Sequence, residues 1–138
     1  MKEQNHGFSL VELIVVVAIM GVLVGILVPA YLAYVEKTRI QRDESAAGEI
    51  FRAAEIVVYS GQYDISDAVL VTFDNSGIQL NTQLLNNAQI QEILQDHFGN
   101  QYQTAKPVSK KYQNMTYTVT ILPPEGETFM PRLSAAWS

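Results

Sequence analysis

A continuous apolar run near the N-terminus constrains this chain more than any other feature. Between Phe8 and Val35 the only charged side chain is that of Glu12, and from Leu13 to Val28 no side chain is polar. As a helix rising about 1.5 Å per residue, the stretch from Leu13 to Val35 would span roughly 35 Å, whereas the hydrocarbon core of a bilayer is about 30 Å thick. The run therefore predicts one membrane-spanning helix.

The hydrophobic free energy of this run outweighs the cost of its one carboxylate. Twelve Leu, Ile or Val side chains lie between Leu13 and Val28, and they favour membrane insertion by about 5 kcal/mol in sum. A carboxylate costs about 3 kcal/mol at mid-membrane and less near an edge, where Glu12 would lie. A cleaved secretory signal is the alternative, but its apolar core is usually shorter, about 7 to 15 residues, and ends at a small-residue site.

The remaining composition argues against catalytic, metal and nucleic-acid sites. The chain has no cysteine, so no Cys-based metal site is possible. Its two histidines are His6 and His97, and because His6 lies in the short segment before the apolar run, the rest of the chain has no His pair for metal or base chemistry. The formal net charge is −5, and the one basic cluster contains Lys106, Lys110 and Lys111. Phosphate binding needs clustered cations. We therefore expect no enzyme, no cofactor, no metal and no dedicated nucleic-acid site.

Charges that flank the apolar run leave its orientation undecided. Lys37, Arg39 and Arg42 follow the run, whereas Lys2 precedes it together with Glu3. The positive-inside rule alone would weakly favour a cytoplasmic side for the residues after the run.

The residues at the start of the run resemble the N-terminus of a type IV prepilin. A short polar leader ends in Gly7, Phe8 follows, and Glu12 is the fifth residue after the glycine. The apolar run then reaches the tripeptide Pro29-Ala30-Tyr31. This resemblance to the type IV pilin and pseudopilin family extends over about a quarter of the chain, residues 7 to 39.

The resemblance implies processing followed by assembly. A prepilin peptidase would cut between Gly7 and Phe8 on the cytoplasmic side and methylate the new amine of Phe8. The product would be a single-pass precursor in the inner, or cytoplasmic, membrane with its head extracytoplasmic, surrounded by lipid before assembly. Pilus or secretion assembly machinery would then build copies of the chain into a cell-surface homopolymer. The orientation that the resemblance implies takes precedence over the charge count.

Glu12 has a predicted role in that assembly. An ionised acid in lipid is tolerated only when it is paired or hydrogen-bonded. Cleavage would create an amine at Phe8, four residues from Glu12 on one helical face, and the amine of a neighbouring subunit would be equally available. The resemblance implies that Glu12 recruits and registers each incoming subunit. The simpler alternative is that its carboxylate only reaches the lipid headgroups.

Gly21, Gly25 and Pro29 recur every four residues and so share one helical face. Pro29 leaves the carbonyl of Gly25 without its helical partner, and the glycines lower the resistance to unwinding, so a kink or melted stretch is expected. Gly21 and Gly25 also form a small-residue motif that lets membrane helices pack closely. The alternative is a kinked anchor that packs against nothing.

Beyond the run the pattern predicts an α+β fold, which agrees with the type IV pilin-like fold that the resemblance implies. Apolar residues continue at helical spacing to about Tyr59, which predicts one helix from Phe8 with an amphipathic second half. After it we expect a hairpin over residues 68–80, a short helix over 86–99 and a last strand near Thr128 to Leu133. A small antiparallel sheet would cover the second half of the long helix.

These elements, together with the processing that the resemblance implies, predict four segments of the chain. They are a leader that is removed (1–7), the membrane-spanning assembly half of the long helix (8–35), its amphipathic half (36–60) and a globular head (61–138).

The predicted function is that of a structural subunit in a type IV pilus-like filament, with adhesion, motility or DNA uptake as possible roles. One alternative is a pseudopilin of a type II secretion or competence system, which would share the N-terminal features. A less favoured alternative is a single-pass anchored binding module that never polymerises.

Overall fold

The long N-terminal helix, α1, extends without interruption over Leu10–Tyr59 in the computed structural model, which describes residues 7–60, 69–81, 86–122 and 132–138. At its start, Ser9 Oγ accepts a hydrogen bond from the Glu12 N–H at 3.2 Å. At its end, Ser60 Oγ donates to the Val57 carbonyl at 2.7 Å. The predicted long helix is confirmed, with its first residue two positions later than expected.

The chain divides into two units between Glu36 and Lys37. In the first unit every described residue from Gly7 to Tyr34 is exposed. This half of α1 is long and apolar enough to cross a membrane, and none of its most apolar stretch is buried. The melted stretch expected near Pro29 is not present in this single chain, because α1 continues through that proline.

The second unit, residues 37–138, contains a four-stranded antiparallel sheet and is called the head unit below. Its strands are β1 (Val69–Asp74), β2 (Gly77–Leu80), β3 (Tyr117–Leu122) and β4 (Arg132–Trp137), in the spatial order β2-β1-β3-β4.

The β1–β2 hairpin confirms the predicted turn at Asp74 to Gly77. Asp74 Oδ1 accepts a hydrogen bond from the Ser76 N–H at 2.7 Å, an Asx turn that reverses the chain. Gly77 has a φ of 116°, and a Cβ atom there would collide with the carbonyl oxygen of Gln103. Both the backbone conformation and the close approach therefore require glycine at this position.

The last strand continues further along the sequence than predicted. We expected it near Thr128 to Leu133, whereas β4 occupies Arg132–Trp137 and pairs Leu133 with Ile121 of β3. Most of β4 consists of small or polar residues, which carry little of the apolar alternation that marks a strand. Residues 128–131 of the predicted strand lie outside the described residues.

A second helix, α2, occupies Ala88–Phe98. The side chain of Asn87 caps its N-terminus by accepting from the Gln89 N–H at 2.9 Å and the Ile90 N–H at 3.4 Å. Gly99, with a φ of 85°, ends it. The helix predicted over residues 86–99 is thus confirmed, and its apolar face is buried at Ile90 and Leu94.

One hydrophobic core joins the second half of α1, the helix α2 and one face of the sheet, as the pattern predicted. The α1 residues at its centre include Ile50, Ala53, Ala54 and Val57, each fully buried. Small alanine side chains let a helix backbone lie close to a sheet. The largest fully buried side chains from the other elements are Phe73, Leu70, Ile90, Leu94, Val71 and Val119.

Candidate functional site

The predicted assembly residue Glu12 lies in the first turn of α1, next to the helix cap. Ser9 and Glu12 have the spacing of a capping box, in which the serine accepts from the N–H three residues on. A carboxylate in the first turn is also favoured by the helix dipole. Glu12 therefore has a local reason to be acidic, and its side chain remains exposed on the helix.

Phe8 lies just before α1 and is 91% exposed. In this chain its nitrogen is bonded to Gly7, so it is an uncharged peptide nitrogen. A Phe8 amine that could pair with Glu12 would exist only after cleavage between Gly7 and Phe8, and the predicted cleavage, methylation and pairing stay predictions.

Gly21 and Gly25 face open space in the single chain. A Cβ atom added at either position would meet no other atom within 4 Å. Their small size is therefore not needed for contacts within this chain, although each glycine lowers helix stability by about 1 kcal/mol relative to alanine. Their predicted role in close packing needs a partner helix and stays a prediction, as does broken hydrogen bonding near Pro29 in a filament.

A shallow apolar groove lies on the same half of α1. It has a volume of about 570 Å³ and is lined by Val24, Leu27, Val28, Ala30, Tyr31 and Tyr34. An exposed apolar surface of this extent is typical of a membrane or protein interface.

In the head unit, the carboxylate of Asp43 forms a polar contact that the sequence did not predict. Asp43 is on α1, is only 2% exposed, and holds the loop before β3. Its oxygens accept hydrogen bonds from the Val108 N–H at 2.9 and 3.1 Å and from the Ser109 N–H at 2.8 Å. The Ser109 hydroxyl donates a further bond at 2.5 Å. A buried carboxylate with this many donors is fully satisfied.

Glu44, the next residue of α1, contacts the same loop, and Tyr112 of that loop contacts the last strand. The Tyr112 hydroxyl donates to Glu44 Oε1 at 2.8 Å, and Lys111 Nζ lies 3.6 Å from that oxygen. Contact with Tyr112 and with Glu44 raises the pKa of Lys111. The Tyr112 ring stacks on Trp137, with 4.2 Å between ring centroids. Asp43 and Glu44 together fix residues 108–112 to the helix.

Sequence reasoning missed both contacts because Asp43 and Glu44 alternate with basic residues in a segment that reads as a solvated helix face. The available signal was that Asp43 lies three and four residues before Ala46 and Ala47, on the apolar face. In the described part of the chain, no group of three His, Cys, Asp or Glu residues could hold a metal ion.

The comparisons with known proteins match the N-terminal part of the chain. The family described as "Prokaryotic N-terminal methylation motif" matches residues 4–28, which include the predicted cleavage residues and Glu12. No solved structure matches the chain significantly.

Two curated relatives carry the names of fimbrial proteins rather than of enzymes. The chain is 39% identical to the type IV major fimbrial protein FimA of Dichelobacter nodosus over 62 residues. The matched segment makes up 45% of this chain and 40% of that protein. The chain is 40% identical to a fimbrial protein of Pseudomonas aeruginosa over 68 residues. This matched segment makes up 49% of the chain and 44% of that protein. The chain thus matches less than half the length of these relatives.

The methylation motif, the fimbrial relatives and the α+β fold with a long exposed apolar helix point to one conclusion. The N-terminal part of this chain is similar to that of type IV fimbrial proteins, and its α+β fold is consistent with the type IV pilin fold.

Proposed function

We propose that this chain is a structural subunit of a type IV pilus-like filament. The observation that carries the proposal is the exposed apolar half of α1, in which every described residue from Gly7 to Tyr34 is open to solvent in the single chain. Lipid would cover this surface before assembly, and the helices of other copies would cover it afterwards. The fimbrial names of the relatives support the same role.

In this proposal the chain is processed before it assembles. A prepilin peptidase cuts between Gly7 and Phe8 and methylates Phe8, and the precursor waits in the inner membrane with its head unit outside. Assembly machinery then extracts it into the filament. Gly21 and Gly25, which face open space in the single chain, allow neighbouring helices to approach closely.

The experiment is electron microscopy of the cell surface combined with intact-mass analysis of purified filaments. Filament subunits are expected to lack residues 1–7 and to carry one added methyl group at Phe8. A Gly7→Trp variant is expected to accumulate uncut in the membrane and to form no filaments. Filament subunits that retain Met1 would contradict the processing step.

Two other outcomes identify the alternatives. A pseudopilin would be processed in the same way but would form no surface filament, and its loss would impair secretion or DNA uptake. An anchored binding module would stay dispersed in the membrane as a monomer. Chemical cross-linking of intact cells separates them, because only a polymerising subunit gives a ladder of cross-linked copies.

A further inference from the structure

Two cations on the head unit have no partner within the described part of the chain. Arg42 on α1 and Lys106 in the loop after residues 102–104 are both exposed. They line two adjoining clefts, with volumes of about 560 and 580 Å³. We call the edge formed by Arg42 and Lys106 the basic rim. Two like charges at one edge repel each other, so an anion that binds there is stabilised by both.

The buried carboxylate beside the rim does not supply that anion. Asp43 also lines the first cleft, but its oxygens accept from Val108 and Ser109. No hydrogen bond or ion pair joins it to Arg42 or Lys106 among the described residues. Among the described residues, nothing uses the capacity of the rim to bind an anion.

A complementary pair of acids lies on α2. Glu92 and Asp96 are exposed, are four residues apart on one helix face, and have no hydrogen bond or ion pair within the described part of the chain. Like charges at this spacing destabilise a helix. Asp96 is also in the last turn of α2, where the helix dipole disfavours a negative charge. Helix stability therefore does not account for this acidic pair.

The two charged surfaces are distinct. Glu92 and Asp96 line a separate cleft with Ile93, Gln95 and Asn100, and no residue of that cleft lines either cleft of the basic rim. A chain with two different complementary surfaces associates head to tail, and a head-to-tail contact that does not close generates an open helical assembly.

We propose that the basic rim of one copy binds Glu92 and Asp96 of a second copy, as a contact between the head units of neighbouring copies in the filament. The proposal rests on the proposed function, since it names a second contact within the same polymer. Apolar helix packing is non-directional, whereas charge complementarity fixes register and suppresses wrong pairings. The acidic pair is thus the register device of the head unit.

A second copy suits the rim better than a nucleic acid does. The chain carries a net charge of −5, which repels a long polyanion, and two cations neutralise few phosphates. The carboxylates of another copy place two negative charges opposite two positive ones without further cations. Anionic lipid would also place phosphates near the rim, and the test distinguishes it.

The experiment is a charge swap in the full-length chain, with filament yield as the readout. Arg42→Glu with Lys106→Glu is expected to reduce yield at least fivefold, and Glu92→Lys with Asp96→Lys to do the same. All four changes together are expected to restore yield to within twofold of the parent. Lys37→Glu with Arg52→Glu is the matched control, since it makes the same charge change on exposed residues outside both clefts. The melting temperature of each variant checks folding.

Cysteine pairs test the contact directly, because the sequence contains no cysteine. Filaments that carry Lys106→Cys with Asp96→Cys, or Arg42→Cys with Glu92→Cys, are expected to give a disulfide ladder on a non-reducing gel after mild oxidation. Each single-cysteine variant is expected to give none. No ladder from either pair would contradict the contact.

The remaining outcomes decide between explanations. Parent filaments with yields unchanged by both reversals, or with no recovery in the fourfold variant, would overturn the contact and leave the proposed function standing. Absence of filaments from the parent would reject the proposed function and the contact with it. If the rim variant alone loses binding to phosphatidylglycerol vesicles and the acidic variant assembles normally, the rim binds lipid phosphate and the proposal is wrong.

Discussion

Asp43 holds Ser109 through both its backbone and its side chain. The same carboxylate oxygen, Oδ2, lies 2.8 Å from the Ser109 nitrogen and 2.5 Å from Ser109 Oγ. The two residues are 66 positions apart in the sequence, and both are buried. This contact attaches the loop before β3 to the helix α1, so that the sheet and the helix form one head unit.

Removal of the Asp43 carboxylate is therefore expected to destabilise the head unit. Asp43→Ala would leave the Val108 and Ser109 donors buried without an acceptor, at a cost of about 3 kcal/mol. Glu44→Ala, at the exposed neighbouring position, is the control and should cost less than about 1 kcal/mol. Urea unfolding of the full chain in detergent, followed by the fluorescence of Trp137, measures both. Equal effects from the two variants would contradict the assignment.

The single tryptophan is expected to hold the end of the sheet together. Trp137 stacks on Tyr112 and also contacts the rings of Phe73 and Tyr117, with centroid distances of 5.8 and 5.2 Å. Trp137→Ala should destabilise the head unit by about 3 kcal/mol, and Trp137→Phe by roughly half of that, because part of the ring contact remains. Thermal unfolding followed by far-ultraviolet circular dichroism tests this order.

Gly77 and Gly48 are expected to respond in opposite directions to the same substitution. Gly77→Ala requires a strained φ and would place its Cβ against the Gln103 carbonyl, so it should destabilise the chain by more than about 2 kcal/mol. At Gly48, inside α1, a Cβ meets nothing within 4 Å. Gly48→Ala should therefore stabilise by about 0.5–1 kcal/mol. Melting temperatures of the two variants measure the difference.

Alkaline pH is expected to weaken the head unit through Tyr117. Burial raises the pKa of its hydroxyl above the ordinary value, because burial penalises the phenolate. The folded chain then keeps this proton to a higher pH than the unfolded chain does. The free energy of unfolding is unaffected well below about pH 10 and falls as the pH rises through and above it. Tyr117→Phe should reduce this alkaline loss, and Tyr59→Phe, at an exposed position, serves as the control.

The features that the sequence predicted are those with a local signal. The apolar run up to Val35 identifies a helix by its length and composition, and the short apolar stretch before the turn at Asp74 to Gly77 identifies a hairpin. Neither prediction needs knowledge of the rest of the chain. Gly99 marks the end of α2 in the same local way. Each of these predictions is confirmed.

The features that the sequence did not predict depend on distant pairing. Nothing in the sequence around Asp43 indicates that Ser109 will meet it. Strand β4 continues past the predicted end at Leu133 because its extent is set by pairing with β3, for instance Val119 with Ala135, rather than by its own alternation. The basic rim likewise combines Arg42 of α1 with Lys106 of a loop.

The cap of α1 makes a sharper test of Glu12 possible. Ser9 Oγ accepts from the Glu12 N–H, and glutamine at position 12 would preserve this capping box while it removes the charge. Ser9→Ala would do the reverse, since it removes the cap and leaves the carboxylate. The two variants therefore separate helix capping from charge pairing with a neighbouring subunit.

Glu12→Gln is expected to abolish filaments or reduce them greatly while the membrane pool of subunit persists. Insertion should become slightly easier, because the carboxylate costs at most about 3 kcal/mol in the membrane. Ser9→Ala should destabilise the first turn by about 1 kcal/mol and leave filament yield close to that of the parent. Intact mass must show that both variants are cut after Gly7 and methylated at Phe8, since a processing defect would also remove filaments. If processed Glu12→Gln subunits polymerise as well as the parent, the charge does not register subunits, and Glu12 acts only at the helix cap.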